Sequence, residues 1–181
     1  MIKNKDDYIH YLKEDKKNLR VKGTLKDYIF NDIWIYQKRL RRAEYYNNCS
    51  KNLILRMITR IMYLKKGRSL GFSIPLNTFK EGLSIAHYGT IVVNGKAKIG
   101  KNCRLHVCVN IGASATDSNK APMIGDNCYI APGVKIYGDI KIGNNVAIGA
   151  NAVVNKSFQD NIIIAGVPAI IISNAVLDRK K

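Results

Sequence analysis

A chain of 181 residues with 46% hydrophobic content is long enough to bury a core of its own, which argues against a disordered chain and for one folded unit with at most a small appendage. Its formal charge of +17 invites a nucleic-acid or anionic-membrane reading, but residues 1–70 hold 18 Lys and Arg against 7 Asp and Glu, and the remainder 12 against 6. The excess belongs mainly to the amino-terminal segment, where it reads first as a solvated helix face and second as a surface for an anionic lipid, glycan or partner.

The opening run MIKNKDDYIHYLKEDKK has no apolar signal core, and no uninterrupted apolar stretch approaches the roughly 20 residues of a membrane span, so a cytoplasmic protein is expected. Cys49, Cys103, Cys108 and Cys128 show neither CxxC spacing nor the density of a disulfide scaffold, which suits a reducing compartment.

Residues 1–70 form a basic helical segment. Apolar residues such as Tyr8, Tyr11 and Leu12, and later Leu53, Ile54, Met57, Ile58, Ile61 and Met62, recur at three- and four-residue steps. Gly23 and the run Asn47 to Ser50 divide the segment into two or three helices, and Gly67 is expected to cap the last in a left-handed conformation. That last helix has a basic amphipathic composition. Packing against another helix or subunit is the preferred reading, and peripheral membrane association the other.

From Gly71 the period changes to six. Aliphatic residues fall at Val93, Ile99, Leu105 and Ile111, and again at Ile124, Ile130, Ile136, Ile142, Ile148 and Val154. Four residues after most of them stand small or β-branched residues: Ala97, Cys103, Val109, Cys128, Val134, Ile140, Val146 and Ala152. Gly, Asn and Asp crowd the intervening corners, where unusual backbone angles are needed. One hexad makes a short strand and a corner, and three close a triangular coil of about 18 residues stacked about 4.8 Å from the next. The fold class is therefore mainly β: a hexapeptide-repeat parallel β-helix over 71–173, preceded by the short α-helical segment and followed by a tail, 174–181. Cys103 and Cys128 are core residues by this register, not ligands. The step from Ile111 to Ile124 is one residue longer than two hexads, and the residues between them lack the inward pattern, so 113–123 is read as an extended loop.

The stretch Ser84-Ile-Ala-His-Tyr-Gly-Thr-Ile-Val-Val-Asn94 and the closing run Ile164-Ala-Gly-Val-Pro-Ala169 make the chain resemble the hexapeptide-repeat acyltransferases, and within them the serine acetyltransferase-like O-acetyltransferases. The resemblance implies a left-handed coil, against the usual right-handed crossover, assembly as a homotrimer with sites between subunits, and acetyl-CoA as acyl donor. It places the catalytic base at His87. An imidazole suits the work, because a hydroxyl is a poor nucleophile at neutral pH and needs its proton removed. The resemblance also carries coenzyme A contacts to Ala113, Ala131, Gly149 and Ala150, with Lys156 as a candidate for a phosphate. His106 follows the inward Leu105, should point outward, and is a candidate for acceptor binding or an ordinary surface residue; His10 lies in the charged helical segment. No metal is required.

The chain departs from the serine acetyltransferase pattern where that family has an Asp before the catalytic His and a His before Pro in the extended loop; here stand Ala86 and Ala121. An earlier Asp-Ile-His-Pro motif is represented only by Ser73-Ile-Pro-Leu. Serine presents an ammonium and a carboxylate that a site should pair, whereas a neutral sugar hydroxyl does not. The expected activity is thus O-acetylation of a sugar or of a surface or capsular polysaccharide precursor, with serine O-acetylation as the alternative and a non-enzymatic β-helix scaffold as a minor one. A carbonic-anhydrase-like zinc site would need three converging histidines from a chain that has three in all. A nucleic-acid partner would rest on net charge alone, without a recognition helix, RNA-binding aromatic motif or metal finger.

Overall fold

The computed structural model describes residues 1–174; of the expected tail, 175–181 lie outside the described residues. Four helices come first: α1 (Lys5–Asn18), α2 (Leu25–Phe30), α3 (Asp32–Cys49) and α4 (Leu53–Leu70). Each starts at a residue whose side chain can satisfy an orphan backbone N–H. Asn4 accepts from Asp7 N, Thr24 forms a capping box with Asp27, Asn31 accepts from Trp34 N, and Asn52 accepts from Leu55 N. The cap at Asn31 produces one more helix than the glycine and Asn-rich breaks alone suggest.

Gly67 does not end the last helix. It lies buried within α4, where an added Cβ would stand 3.2 Å from the Tyr36 ring and 3.0 Å from the Phe72 carbonyl oxygen. Its role is to let α3 and the first coil approach the helix, and Gly71, at φ +79°, supplies the left-handed cap one turn later.

The rest of the chain winds a left-handed parallel β-helix with three faces. Face I stacks β1 (Phe72–Ser73), β3 (Ile91–Val93), β6 (Asn110–Gly112), β9 (Lys135–Tyr137) and β12 (Val153–Val154). Face II stacks β4 (Lys98–Ile99), β7 (Met123–Ile124) and β10 (Lys141–Ile142), extended by bridges from Phe79 and Phe158. Face III stacks β2 (Ser84–Ile85), β5 (Arg104–Leu105), β8 (Tyr129–Ile130), β11 (Ala147–Ile148) and β13 (Ile163–Ala165), and β14 (Ile170–Ser173) folds back antiparallel on β13.

All ten aliphatic residues of the six-step series point inward, none more than 4% exposed. Each such burial contributes about 1.5–3 kcal/mol. Cys103 and Cys128 are buried among them. The regular coils advance by three hexads, as from Lys135 to its partner Val153, but the coil that runs from Asn110 to its partner Lys135 is longer. The difference is the loop after β6, closed on itself by Ser114 N donating to Lys120 O at 2.7 Å and tied to the next coil by a Lys120–Asp139 ion pair at 3.1 Å.

At the corner from face II to face III, Asn102, Asn127, Asn145 and Asn161 all take positive φ between 55° and 63°. Their side-chain amides form a ladder, each donating to the next at 2.7–3.1 Å, and Asn18 of α1 donates to Asn102 Oδ1 at its open end.

The helices close the first coil through a buried charge cluster. Arg41, fully buried, donates to Asp15 through Nε at 2.8 Å and Nη2 at 3.2 Å, to Glu44 at 2.9 Å, and to the carbonyls of Phe79 and Lys80. Asp15 also accepts from the backbone of Gly82 and Leu83, and Glu44 from Asn77 N. Gln37 joins Leu83 O and Ile85 N, occupying the backbone groups an open edge strand would leave unpaired.

Candidate active site at a β-helix edge

The chain leaves face III after β2 and enters face I at β3, and the residues between, 86–90, form the corner that carries His87. Ala86 N donates to Leu105 O at 2.9 Å, which anchors the corner to the next coil. Gly89 N donates to Leu70 O at 2.9 Å, so the carbonyl end of α4 holds the loop from the other side. Gly89 needs its φ of +133°, and a Cβ there would lie 2.5 Å from Val107 Cγ2. Together these contacts present His87 and Tyr88 as exposed side chains on a fixed backbone. No hydrogen bond among the described residues reaches the His87 ring.

One coil on, His106 follows Leu105 at the same corner. Its ring centroid lies 6.2 Å from that of His87 and 5.0 Å from that of Tyr129. It is half-buried, not fully outward, and its Nε2 is enclosed without a hydrogen-bond partner. Desolvation, then the charges of Arg104 and His87, hold its pKa below the ordinary 6.5, so the ring is biased to the neutral form. Arg104 itself donates to the Ser84 hydroxyl at 2.9 Å. Register brings these groups together: Ser84 pairs with Arg104 and Arg104 with Tyr129.

Strand pairing of Ile85, Leu105, Ile130, Ile148 and Ile164 stacks the residues that follow them into one column: Ala86, His106, Ala131, Gly149, Ala165. Every member but His106 is Ala or Gly. A Cβ on Gly149 would meet Ala165 Cβ at 2.8 Å, so the column is tight as well as shallow. Ala150, next to Gly149, is exposed on the same edge.

Ala113 and Lys156 are elsewhere. Pairing of Val93, Ile111, Ile136 and Val154 on face I stacks Gly95, Ala113, Gly138 and Lys156 at the edge between faces I and II. The residues expected to contact one coenzyme therefore occupy two edges of the prism, separated by the width of face I, at most about 20 Å for one hexad. Lys156 is exposed, with Nζ 5.6 Å from the Phe158 ring centroid. His10 lies on α1 with Nε2 3.9 Å from Glu81, apart from both edges. A shallow cleft lined by Lys26, Asp27, Phe30, Asn31, Asp32, Ile33 and Tyr88 opens between the α2–α3 turn and the His87 corner.

Sequence reasoning missed Arg104, Ser84 and Tyr129 as neighbours of the histidines. The signal was the residue preceding each inward aliphatic on face III, but the coils from Ser84 to Arg104 and from Arg104 to Tyr129 are both longer than three hexads.

Residues 121–156 match the bacterial transferase hexapeptide (six repeats) family. The serine acetyltransferase of Synechococcus elongatus is 28% identical over 140 residues, covering 77% of this chain and 52% of that protein. That of Staphylococcus aureus strain Mu50 is 38% identical over 91 residues, covering 50% and 43%. The chain thus spans about half the length of the curated relatives it matches. Among solved structures, serine acetyltransferase from Brucella abortus strain S19 superposes with a TM-score of 0.77 at 22% identity, over 94% of this chain and 71% of that one. Its complex with coenzyme A gives 0.77 at 22%, over 94% and 70%. No helix among the described residues is long and apolar enough to cross a membrane. Repeat register, closing strands and these likenesses agree: residues 121–156 carry the bacterial transferase hexapeptide repeat, and the chain is similar to serine acetyltransferases in sequence and in fold.

Proposed function

We propose that the protein is an acetyl-CoA-dependent O-acetyltransferase in which His87 takes the proton of an acceptor hydroxyl. The observation that carries this reading is the His87 corner itself: an exposed imidazole on a backbone held by both α4 and the second coil, beside a column of Ala and Gly. As the acceptor oxygen bonds to the thioester carbonyl carbon, its proton passes to an imidazole nitrogen. When the tetrahedral adduct collapses and the carbon–sulfur bond breaks, the same nitrogen returns the proton to the departing thiolate. The solved coenzyme A complex of the Brucella relative supports the donor. Ala131, Gly149 and Ala150 would let a pantetheine arm lie against the backbone, and His106, biased to the neutral form with its ring centroid 6.2 Å from that of His87, is the candidate to contact the acceptor.

Ala113 and Lys156 enter the same site only if it is shared between chains, with the edge of one subunit that carries them facing the His87 edge of the next. A homotrimer supplies that arrangement by symmetry.

The curated relatives are serine acetyltransferases, which favours L-serine as acceptor over the sugar expected from the sequence. One observation keeps a neutral sugar hydroxyl as the second reading: Ala86 and Ala121 supply neither charge nor hydrogen bond where an amino acid's charged groups would need partners. The test is thiol release from acetyl-CoA with L-serine, sugars, sugar nucleotides and surface oligosaccharides as acceptors, products identified by mass. Acceptor-dependent release that falls by at least about 10² in His87→Ala supports the reading. Undiminished turnover in that variant refutes it, and O-acetylserine as sole product removes the sugar.

A further inference from the structure

Helix α4 has two unlike faces. Thr59, Tyr63, Gly67 and Leu70 are buried against α3 and the first coil. On the other side, Leu53, Ile54, Met57, Ile58, Ile61 and Met62 expose between 37% and 71% of their surface. Their spacing, in pairs repeated every four residues, makes a continuous apolar stripe over the first half of the helix. Exposed apolar residues scattered singly mean little, but a contiguous stripe marks a surface built to be covered.

The charges on the same helix say by what. Arg60, Lys65 and Arg68 are exposed, and the helix contains no Asp or Glu. Among the described residues no ion pair reaches these cations; only Lys66 is engaged, with Asp32 at 2.6 Å. A second copy of the helix laid parallel against this face would bring arginine and lysine against arginine and lysine, and in either direction the helix offers no carboxylate to pair its cations. An anionic lipid surface meets both demands, taking the apolar stripe at the boundary of headgroups and acyl chains and the cations at its phosphates.

We infer that α4 docks the protein on anionic bilayers as an interfacial helix, lying on the membrane without crossing it. The helix ends one hydrogen bond from the His87 loop, Gly89 N to Leu70 O, so docking would tether that corner to the membrane surface. The inference stands independently of the proposed reaction, since it uses none of the residues placed at the β-helix edges.

The test is flotation of the full chain with vesicles of phosphatidylcholine alone or with 30 mole per cent phosphatidylglycerol, at 0.15 M and 0.5 M salt, which are about 8 Å and under 5 Å of screening length. Two variants accompany it: Ile54→Ser/Met57→Ser/Ile61→Ser, and Arg60→Gln/Lys65→Gln. Their side chains point outward, so unchanged melting and thiol release from acetyl-CoA show that the fold persists. Expected is binding to the anionic vesicles, weakened at least ten-fold without phosphatidylglycerol or at high salt. The apolar variant should lose it, and the charge variant should bind about thirty-fold more weakly, each cation near such a surface contributing about five-fold. Failure of the native chain to float, or equal binding by the apolar variant, overturns the inference. So does a fall in solution mass of the apolar variant by light scattering, which would make the stripe an interface between copies.

Discussion

Replacing Arg41 by Met keeps the apolar stem and removes the guanidinium: its charge, its donors and the contact of Cζ with the Tyr11 ring, 4.9 Å from the centroid. Asp15, fully buried, and Glu44, 2% exposed, would then lack their counterion. Asp15 would keep two backbone donors, Gly82 N and Leu83 N, and Glu44 one, Asn77 N. The Phe79 and Lys80 carbonyls would each lose a donor. Breaking a buried ion pair from one side costs about 3–5 kcal/mol, because the remaining charge stays desolvated. At about 2–4 °C per kcal/mol for a chain of this size, Arg41→Met should melt roughly 6–20 °C lower, followed by far-ultraviolet circular dichroism. Neutralising the stranded acids should recover at least half of that loss: Arg41→Met/Asp15→Asn/Glu44→Gln leaves the backbone-facing acceptor oxygens in place and buries no charge. Melting of Arg41→Met within about 2 °C of the native protein, the equivalent of 1 kcal/mol or less, would refute the cluster as a buried clasp. A triple variant no better than the single would show that packing, not charge, carries the cost.

Gly89→Ala combines a φ of +133° with a 2.5 Å approach to Val107 Cγ2, and should cost about 1–3 kcal/mol while lowering acetyl transfer more than melting predicts. Adding Val107→Ala relieves the contact but not the backbone, so only part of the loss should return. For pH, the sign follows from His106 binding its proton less readily when folded than when unfolded. Stability should fall as pH drops below 6.5 and level off once the folded ring is protonated too, and His106→Leu should remove that component from urea titrations; an unchanged pH slope in the variant refutes it. Co-expressing His87→Ala with Lys156→Glu, each impaired alone, should restore about a quarter of native sites in randomly mixed trimers if the two edges belong to different chains. No recovery in mixed oligomers would place both residues in one chain's site or outside it.

The β-helix core was legible because its signal is geometric repetition. Burying a side chain every sixth residue leaves the same aliphatic mark at Val93 as at Val154, whatever the corners contain. Helix ends were less legible. A glycine read from sequence as a cap can instead be a place where a ring must come close, as Gly67 is to Tyr36, and nothing local separates the two. The Arg41 cluster was illegible for a related reason. Arg41 and Glu44 have the spacing of an ordinary exposed helix pair, and only Asp15, two helices earlier on α1, together with the first coil's open carbonyls, makes them interior.

At the candidate site, His87 was proposed from its block, and the edge on which each of the other candidates stands required counting coils. From Ala131 to Gly149 is one regular turn of three hexads, so their stacking follows from the repeat alone. The same arithmetic, with the longer coil that contains the loop, stacks Ala113 under Lys156 and sets both on the next edge round. Before Val93 the count fails, because the coil from Ile85 to Leu105 is longer than three hexads, and this irregular coil brings His87 against His106. The departure from six-residue order thus falls at the corner that carries the proposed base. The regular register already sets His106 in the column, directly after Leu105, and the irregular coil adds the second imidazole, His87, beside it.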